Sequence, residues 1–186
     1  MTKQSSDYKR ISHIEKEEIY FYTATINKWQ RLLQDDKFKD AIVNSLKHLS
    51  DAGKIDVFAF VIMPNHIHLI WRINESKGKE TPQASFLKFT AHEFKKILGK
   101  ENPGKLSLYE VQAKGKLHEF WQRDSLAVLL FTQEVAYQKL DYIHDNPLAE
   151  YWRLATNTWE YKYSSASYYE KNENNFPFLK DLRQEF

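Results

Sequence analysis

The 186-residue chain contains no cysteine. Disulfides and thiolate metal sites are therefore excluded, and an intracellular, cytoplasmic protein is the natural expectation. No apolar run is long enough to span a bilayer, so no membrane partner is expected. The N-terminus, Met1 to Arg10, is polar throughout and lacks the apolar segment of a secretory signal. Net charge is only +2, so bulk charge does not announce a nucleic-acid binder and any basic surface must be local. There is no internal repeat and no low-complexity tract.

Aromatics are plentiful, at 15% of residues within a hydrophobic total of 42%, which argues for a folded chain with a substantial core. The length suits one domain. Residues 1–18 read as a polar lead-in, 19–168 as the domain, and 169–186 as a tail packed on it or partly mobile. Ile19 to Ile26 is rich in aromatic and β-branched residues and predicts a strand. Asp35 to Leu49 places Phe38, Ile42, Leu46 and Leu49 at helical spacing. Ile55 to Ile62 and His66 to Ile73 predict an antiparallel hairpin around Met63-Pro64-Asn65. Gln83 to Leu98 predicts a second helix, Gly99 to Lys116 a loop, and Leu117 to Arg123 a fourth strand. The resulting β-α-β-β-α-β order predicts a ferredoxin-like α+β fold: an antiparallel sheet with two helices on one face. A further helix is expected from about Thr132 to His144. The stretch from Pro147 holds Trp152, Trp159, Tyr161 and Tyr163, and should pack on the domain.

His66-Ile67-His68 carries the most chemical information. In a strand, alternate side chains share a face, so both imidazoles project together and Ile67 points away. Two neutral imidazoles on one face are a ready pair of metal ligands. The alternative is two polar residues at a strand start, each hydrogen-bonded to a neighbour.

Tyr142 and Asn146 are four apart on the last expected helix, hence on one face. Pro147 disfavours helical geometry at Asn146, so that residue is expected in a fraying last turn. A core aromatic followed by an Asn-Pro terminator is the competing reading. The combination with the histidines is chemically suggestive. A tyrosine hydroxyl can break a phosphodiester and leave a covalent phosphotyrosine. A free phenol, with a pKa of about 10, needs activation at neutral pH. A divalent cation polarises the phosphate and stabilises the developing charge.

Four blocks of sequence resemble a known family. Met63 to Ile70 looks like the His-hydrophobic-His (HUH) motif of single-tyrosine transposases. Phe120 to Arg123 and Leu140 to Pro147 resemble the downstream part of the same proteins. Trp159 to Ala166, ending in Ser-Ser-Ala, resembles the block near the C-terminus of the REP-associated tyrosine transposase branch. The blocks run in family order and cover about residues 19–168. One departure is Leu148, where the family often has Val after Asn-Pro.

The resemblance implies that His66 and His68 bind Mg²⁺ or Mn²⁺, that Asn146 is a third, polar ligand, and that Tyr142 is the nucleophile. It also implies the ferredoxin-like core. The implied activity is that of a single-strand DNA endonuclease and strand transferase acting on DNA hairpins, as a monomer or a homodimer. A related HUH nuclease that nicks and rejoins without transposition is the runner-up. A non-catalytic nucleic-acid-binding module on the same sheet is the third reading.

Positive charge concentrates at Lys88, Lys95, Lys96, Lys100, Lys105, Lys114 and Lys116. This stretch is a candidate phosphate-contacting surface, with Lys88, Lys95, Lys96 and Arg123 the foremost DNA-binding candidates. A solvated helix face is the competing account, since Glu93, Glu101 and Glu110 are interspersed. His92 and His118 lack partners at ligand spacing and are read as structural, while His144, two residues past Tyr142, faces elsewhere on an ideal helix and is not taken as a general base. Tyr137 is the nearest rival to Tyr142 but lacks an Asn partner. Exposed aromatics could stack on unpaired bases, without the sequence indicating which are exposed.

Overall fold

The computed structural model describes residues 14–74, 80–113, 116–123 and 125–186. Lys114 and most of the N-terminal lead-in lie outside the described residues. The elements are β1 (Ile19–Thr25), α1 (Asp36–Asp51), β2 (Ile55–Ile62), β3 (His66–Ile73), α2 (Pro82–Glu101), α3 (Pro103–Ser107), β4 (Glu110–Ala113), β5 (Lys116–His118), β6 (Leu126–Leu129), α4 (Gln133–Asp145) and α5 (Ala166–Lys171), with short 3₁₀ turns between.

The main sheet has the order β2-β3-β1-β6, and every pair in it is antiparallel. It is a ferredoxin-like sheet, as the sequence predicts. Strand alternation sorts its side chains into two cores. Tyr20, Tyr22, Leu69 and Trp71 pack with Phe38, Ile42 and Leu46 of α1 and with Phe86 and Phe94 of α2. Phe21, Val61 and Ile70 face the other way and pack with Ala136, Leu140 and Ile143 of α4. Each such side chain, fully buried, contributes about 1.5–3 kcal/mol, so both faces matter. A register shift between Val57 and Ala59 interrupts the alternation expected along β2, and Phe58 and Ala59 consequently join the same core.

The fourth sheet strand is not the predicted one. Leu117 to Arg123 splits: β5 pairs with β4 in a separate hairpin, and Trp121 makes only an isolated bridge to Ile26. Leu126 to Leu129 takes the place beside β1 instead. The reason is packing. Phe120 and Trp121 lie against Phe94, with ring centroids 5.9 and 5.7 Å away, and the Trp121 indole donates to buried Thr90 at 2.9 Å. These rings hold the segment at the end of β1, where Asn27 N–H donates to Phe120 O at 2.7 Å and Gln122 N–H to Thr25 O at 2.8 Å, while Leu126–Leu129 pairs along β1 itself. The stretch predicted as a loop, Gly99 to Lys116, accordingly contains α3 and β4.

β2 is an edge strand whose outer edge is covered. Ile62 N–H donates to Tyr163 O at 2.9 Å, and Lys180 N–H donates to Val57 O at 2.9 Å. Arg72 of β3 pairs with Asp56 and Glu185 at 2.6 Å each, and Lys180 also pairs with Asp56 at 2.6 Å. Phe178, Leu179 and Leu182 are buried, so the tail packs on the sheet. No helix among the described residues is long and apolar enough to cross a membrane.

Candidate active site

His66 and His68 project from β3 on the face covered by α4, beside Thr25 and Thr23 of β1. Their ring centroids are 4.7 Å apart. Both are buried at the floor of a cleft of about 540 Å³, which Thr23, Asn65, Tyr142 and Asn146 also line. α4 is started by Thr132, whose hydroxyl accepts from Val135 N–H at 3.3 Å. Its last turn carries Tyr142 over the histidines. The Tyr142 ring meets His68 edge-on at 5.3 Å and Phe21 at 5.9 Å, while Phe21 stacks on His68 at 5.2 Å. Tyr142 remains 49% exposed, between this cleft and a second hollow bordered by Asp145, Asn146, Leu148 and Ala149.

Asn146 does not fray. It keeps right-handed helical angles (φ −51°, ψ −44°), and Asn146–Leu148 continues as a 3₁₀ turn, which tolerates Pro147 near its start. Its side-chain nitrogen donates to Tyr142 O at 3.0 Å. The amide oxygen is thereby left free at the edge of the cleft that the histidines floor.

The hydrogen bonds behind the rings decide what the rings can do. Asn65 donates through its side-chain nitrogen to Trp29 O at 3.3 Å, which leaves its oxygen 2.6 Å from His66 Nδ1. A carbonyl oxygen only accepts, so Nδ1 carries the proton and Nε2 presents a lone pair. Thr23 Oγ1 lies 2.7 Å from His68 Nδ1 and can hold that ring in the same tautomer. Among the described residues, His68 Nε2 is then buried without a hydrogen-bond partner. Burial pushes His66 down to about 4, against the nearby Asn146 amide, which would favour the protonated ring. Burial also pushes His68 well below its ordinary value, with the nearby His66 and Lys139 charges acting in the same direction. Both imidazoles are therefore neutral at physiological pH.

Two lone-pair nitrogens with their other nitrogens anchored, plus an amide oxygen, form a donor set suited to a divalent cation. Among the described residues no three His, Cys, Asp or Glu side chains converge as a metal cluster, and the Asn146 amide is one of the oxygen donors that line the cleft beside the two histidines. Lys139, one turn before Tyr142, places its ammonium 5.1 Å from the Phe21 ring centre and 5.6 Å from that of Tyr142. Burial lowers its affinity for the proton.

Other sequence candidates lie elsewhere. Lys88, Lys95 and Lys96 belong to α2, in the layer across the sheet from the histidines. Lys88 pairs with Glu80 at 3.1 Å, Lys96 with Glu93 at 3.6 Å and Arg123 with Glu119 at 3.0 Å. Lys88 and Arg123 share a separate groove with Trp121 and His118. His144 is buried, with Nε2 at 2.9 Å from Ser165 Oγ, and burial brings it to about 4. Tyr137 lies 3.4 Å from Gln133 Nε2 and does not line the histidine cleft.

Sequence reasoning did not single out Thr23, Asn65 or Lys139. Asn65 had a signal, as the immediate neighbour of His66. Thr23 had none, because its place beside His68 depends on the β1–β3 register.

No protein-family model matches the sequence, and no curated protein matches it. Among solved structures, the chain is similar to a REP-associated tyrosine transposase bound to a REP hairpin. The two are 17% identical, the match covers 94% of this chain and 90% of that one, and the TM-score is 0.58. A candidate transposase from Deinococcus radiodurans R1 is 16% identical over 74% of this chain and 95% of that one, with a TM-score of 0.37. The first of these likenesses shows that the chain has the fold of a REP-associated tyrosine transposase.

Proposed function

We propose that this protein is a metal-dependent DNA endonuclease and strand transferase of the HUH tyrosine transposase kind, acting on hairpins with a single-stranded flank. One observation carries the reading: a half-exposed tyrosine set edge-on against a pair of buried, neutral, same-facing histidines. The fold supports it, since the similar structure is a tyrosine transposase bound to a REP hairpin.

His66, His68 and Asn146 would hold Mg²⁺ or Mn²⁺. Such an ion, when bound, polarises the scissile phosphate and offsets the charge that develops on it. Asn65 holds His66, and Thr23 can hold His68, in the tautomer whose Nε2 donates a lone pair. Tyr142 Oη attacks phosphorus and loses its proton to solvent, forming an O–P bond. The bond from phosphorus to the 3′ oxygen breaks, and that oxygen takes up a proton to become a free 3′-hydroxyl. The 5′ end stays on Tyr142 as a phosphotyrosine. Attack by a 3′-hydroxyl reverses the sequence: a new phosphodiester forms and the phenolate leaves. Lys139 supplies positive charge beside the Tyr142 ring.

A non-catalytic binding module has no need of Tyr142 beside the histidines, and the 5.3 Å contact favours the enzyme. The test is incubation with end-labelled hairpin DNA and Mn²⁺. A protease-sensitive, covalently shifted species is expected. Joining of that strand to a second DNA would mark strand transfer over simple nicking. Adducts that form equally well with chelator present would overturn the metal-dependent reading.

A further inference from the structure

The outer wall of the cleft consists of residues that the chemistry above does not use. Trp29, Arg31, Tyr151 and Trp152 line it, continuous with His66. The Trp152 ring centre is 6.0 Å from that of His66 and 4.8 Å from that of Tyr151. The Arg31 guanidinium stands 5.4 Å from the Trp152 ring and 5.6 Å from the Tyr151 ring, and it donates to the Tyr151 hydroxyl at 3.1 Å. Among the described residues no carboxylate forms an ion pair with Arg31.

Trp29 reaches this wall by an unfavourable route. Lys28 and Trp29 both adopt left-handed angles, φ 56° and 57°, which a Cβ disfavours. The turn is pinned at both ends: Trp29 N–H donates to Ile26 O at 2.9 Å, and Trp29 O accepts from Asn65. Its indole is left 63% exposed and Tyr151 73% exposed, in a chain that buries most of its large aromatics. Backbone strain of this kind clusters at ligand clamps and active sites, and here it displays a large apolar ring beside the cleft. Asn65 also ties this turn to the metal-facing histidine, since one amide group contacts both Trp29 and His66.

We propose that Trp29, Tyr151 and Trp152, with Arg31, form a stacking site for unpaired bases of single-stranded DNA, next to the phosphate that Tyr142 attacks. This rests on the DNA-cleaving reading above. Flat aromatic faces accept any unpaired base by stacking, whereas paired bases in a duplex keep their faces covered. The guanidinium supplies the charge that a passing backbone phosphate requires. The site would grip the flank of a hairpin and leave the duplex to other surfaces.

The test uses full-length protein, without divalent metal, and hairpins carrying 2-aminopurine in a mixed-sequence single-stranded flank. Stacking should quench the probe in the wild type. Trp29→Ala combined with Tyr151→Ala should abolish the quenching and weaken binding of the flanked hairpin about tenfold, while binding of the same hairpin without a flank stays unchanged. Trp29→Tyr, which keeps a stacking face, should retain most of the quenching. Thermal melts serve as the folding control, since both rings are exposed. Equal losses for flanked and blunt hairpins, or no quenching with the wild type, would overturn the proposal. Covalent adduct formation is scored separately. Quenching without adducts would sink the nuclease reading alone, and adducts with unaltered quenching in the double variant would sink the stacking site alone.

Discussion

His144 Nε2 lies 2.9 Å from the hydroxyl of Ser165. That hydroxyl also receives Phe60 N–H at 3.0 Å and lies 3.3 Å from Phe60 O. The contact ties the last turn of α4 to β2 through the Ser-Ser-Ala block, two residues from Tyr142. Together with buried Leu140 and Ile143 it fixes the turn of α4 that carries Tyr142. Ser165→Ala should cost about 1–3 kcal/mol, because it leaves a buried imidazole and a buried N–H unpaired. Urea denaturation checks this, and an unchanged midpoint would show the contact to be idle. Adduct formation should fall as well, through misplacement of the tyrosine.

Stability should decline in mild acid. His66 and His144 are held at about 4 by burial, against an unfolded value of about 6.5. A depressed histidine stays neutral in the folded state while the unfolded chain takes up the proton. Stability is therefore full above pH 6.5 and falls as pH drops toward 4. Below that the contribution of these two groups levels off. Each could account for roughly 3 kcal/mol across the window. Urea midpoints in metal-free buffer at pH 7.5, 5.5 and 4.5 would reveal the slope, and a flat profile would mean that the imidazoles are not so buried.

Tyr142→Phe removes one hydroxyl from a half-exposed ring. The contacts with His68 and Phe21 belong to the ring and survive, so stability should change by less than about 0.5 kcal/mol. The covalent DNA adduct should vanish. An adduct that persists and maps by peptide sequencing to another tyrosine, Tyr137 included, would reject the assignment.

His66→Ala with His68→Ala should eliminate Mn²⁺ binding in titration calorimetry and abolish cleavage, while hairpin binding largely persists through phosphate contacts elsewhere. Undiminished Mn²⁺ affinity in the double variant would relocate the metal.

Lys139→Met keeps the length of the side chain and its contact with the Phe21 ring but removes the charge. By analogy with loss of one electrostatic stabiliser, the cleavage rate should fall about 10²-fold with hairpin affinity little changed. Equal losses of rate and affinity would make Lys139 an ordinary binding residue.

Where the information is local, it was legible in the chain. Alternation put His66 and His68 on one face, and a four-residue step put Tyr142 and Asn146 on another, because strand and helix periods are properties of the backbone. The first strand, the first two helices and the central hairpin followed from the same periods. The block resemblance added the link between the histidines and the tyrosine.

Long-range choices were not legible. Leu117 to Arg123 and Leu126 to Leu129 are both apolar enough for a strand. Phe120 and Trp121 joined the core at the end of β1, and Leu126–Leu129 took the pairing along β1. Asn146 stayed helical because a 3₁₀ turn could absorb Pro147. Thr23 met His68 through the β1–β3 register, and His144 found Ser165 across 21 positions. Trp29 looks in sequence like any core aromatic, and only the pinned left-handed turn puts it outside. Backbone periodicity acts between near neighbours, whereas register, burial and hydrogen-bond partners emerge when distant segments compete for the same space.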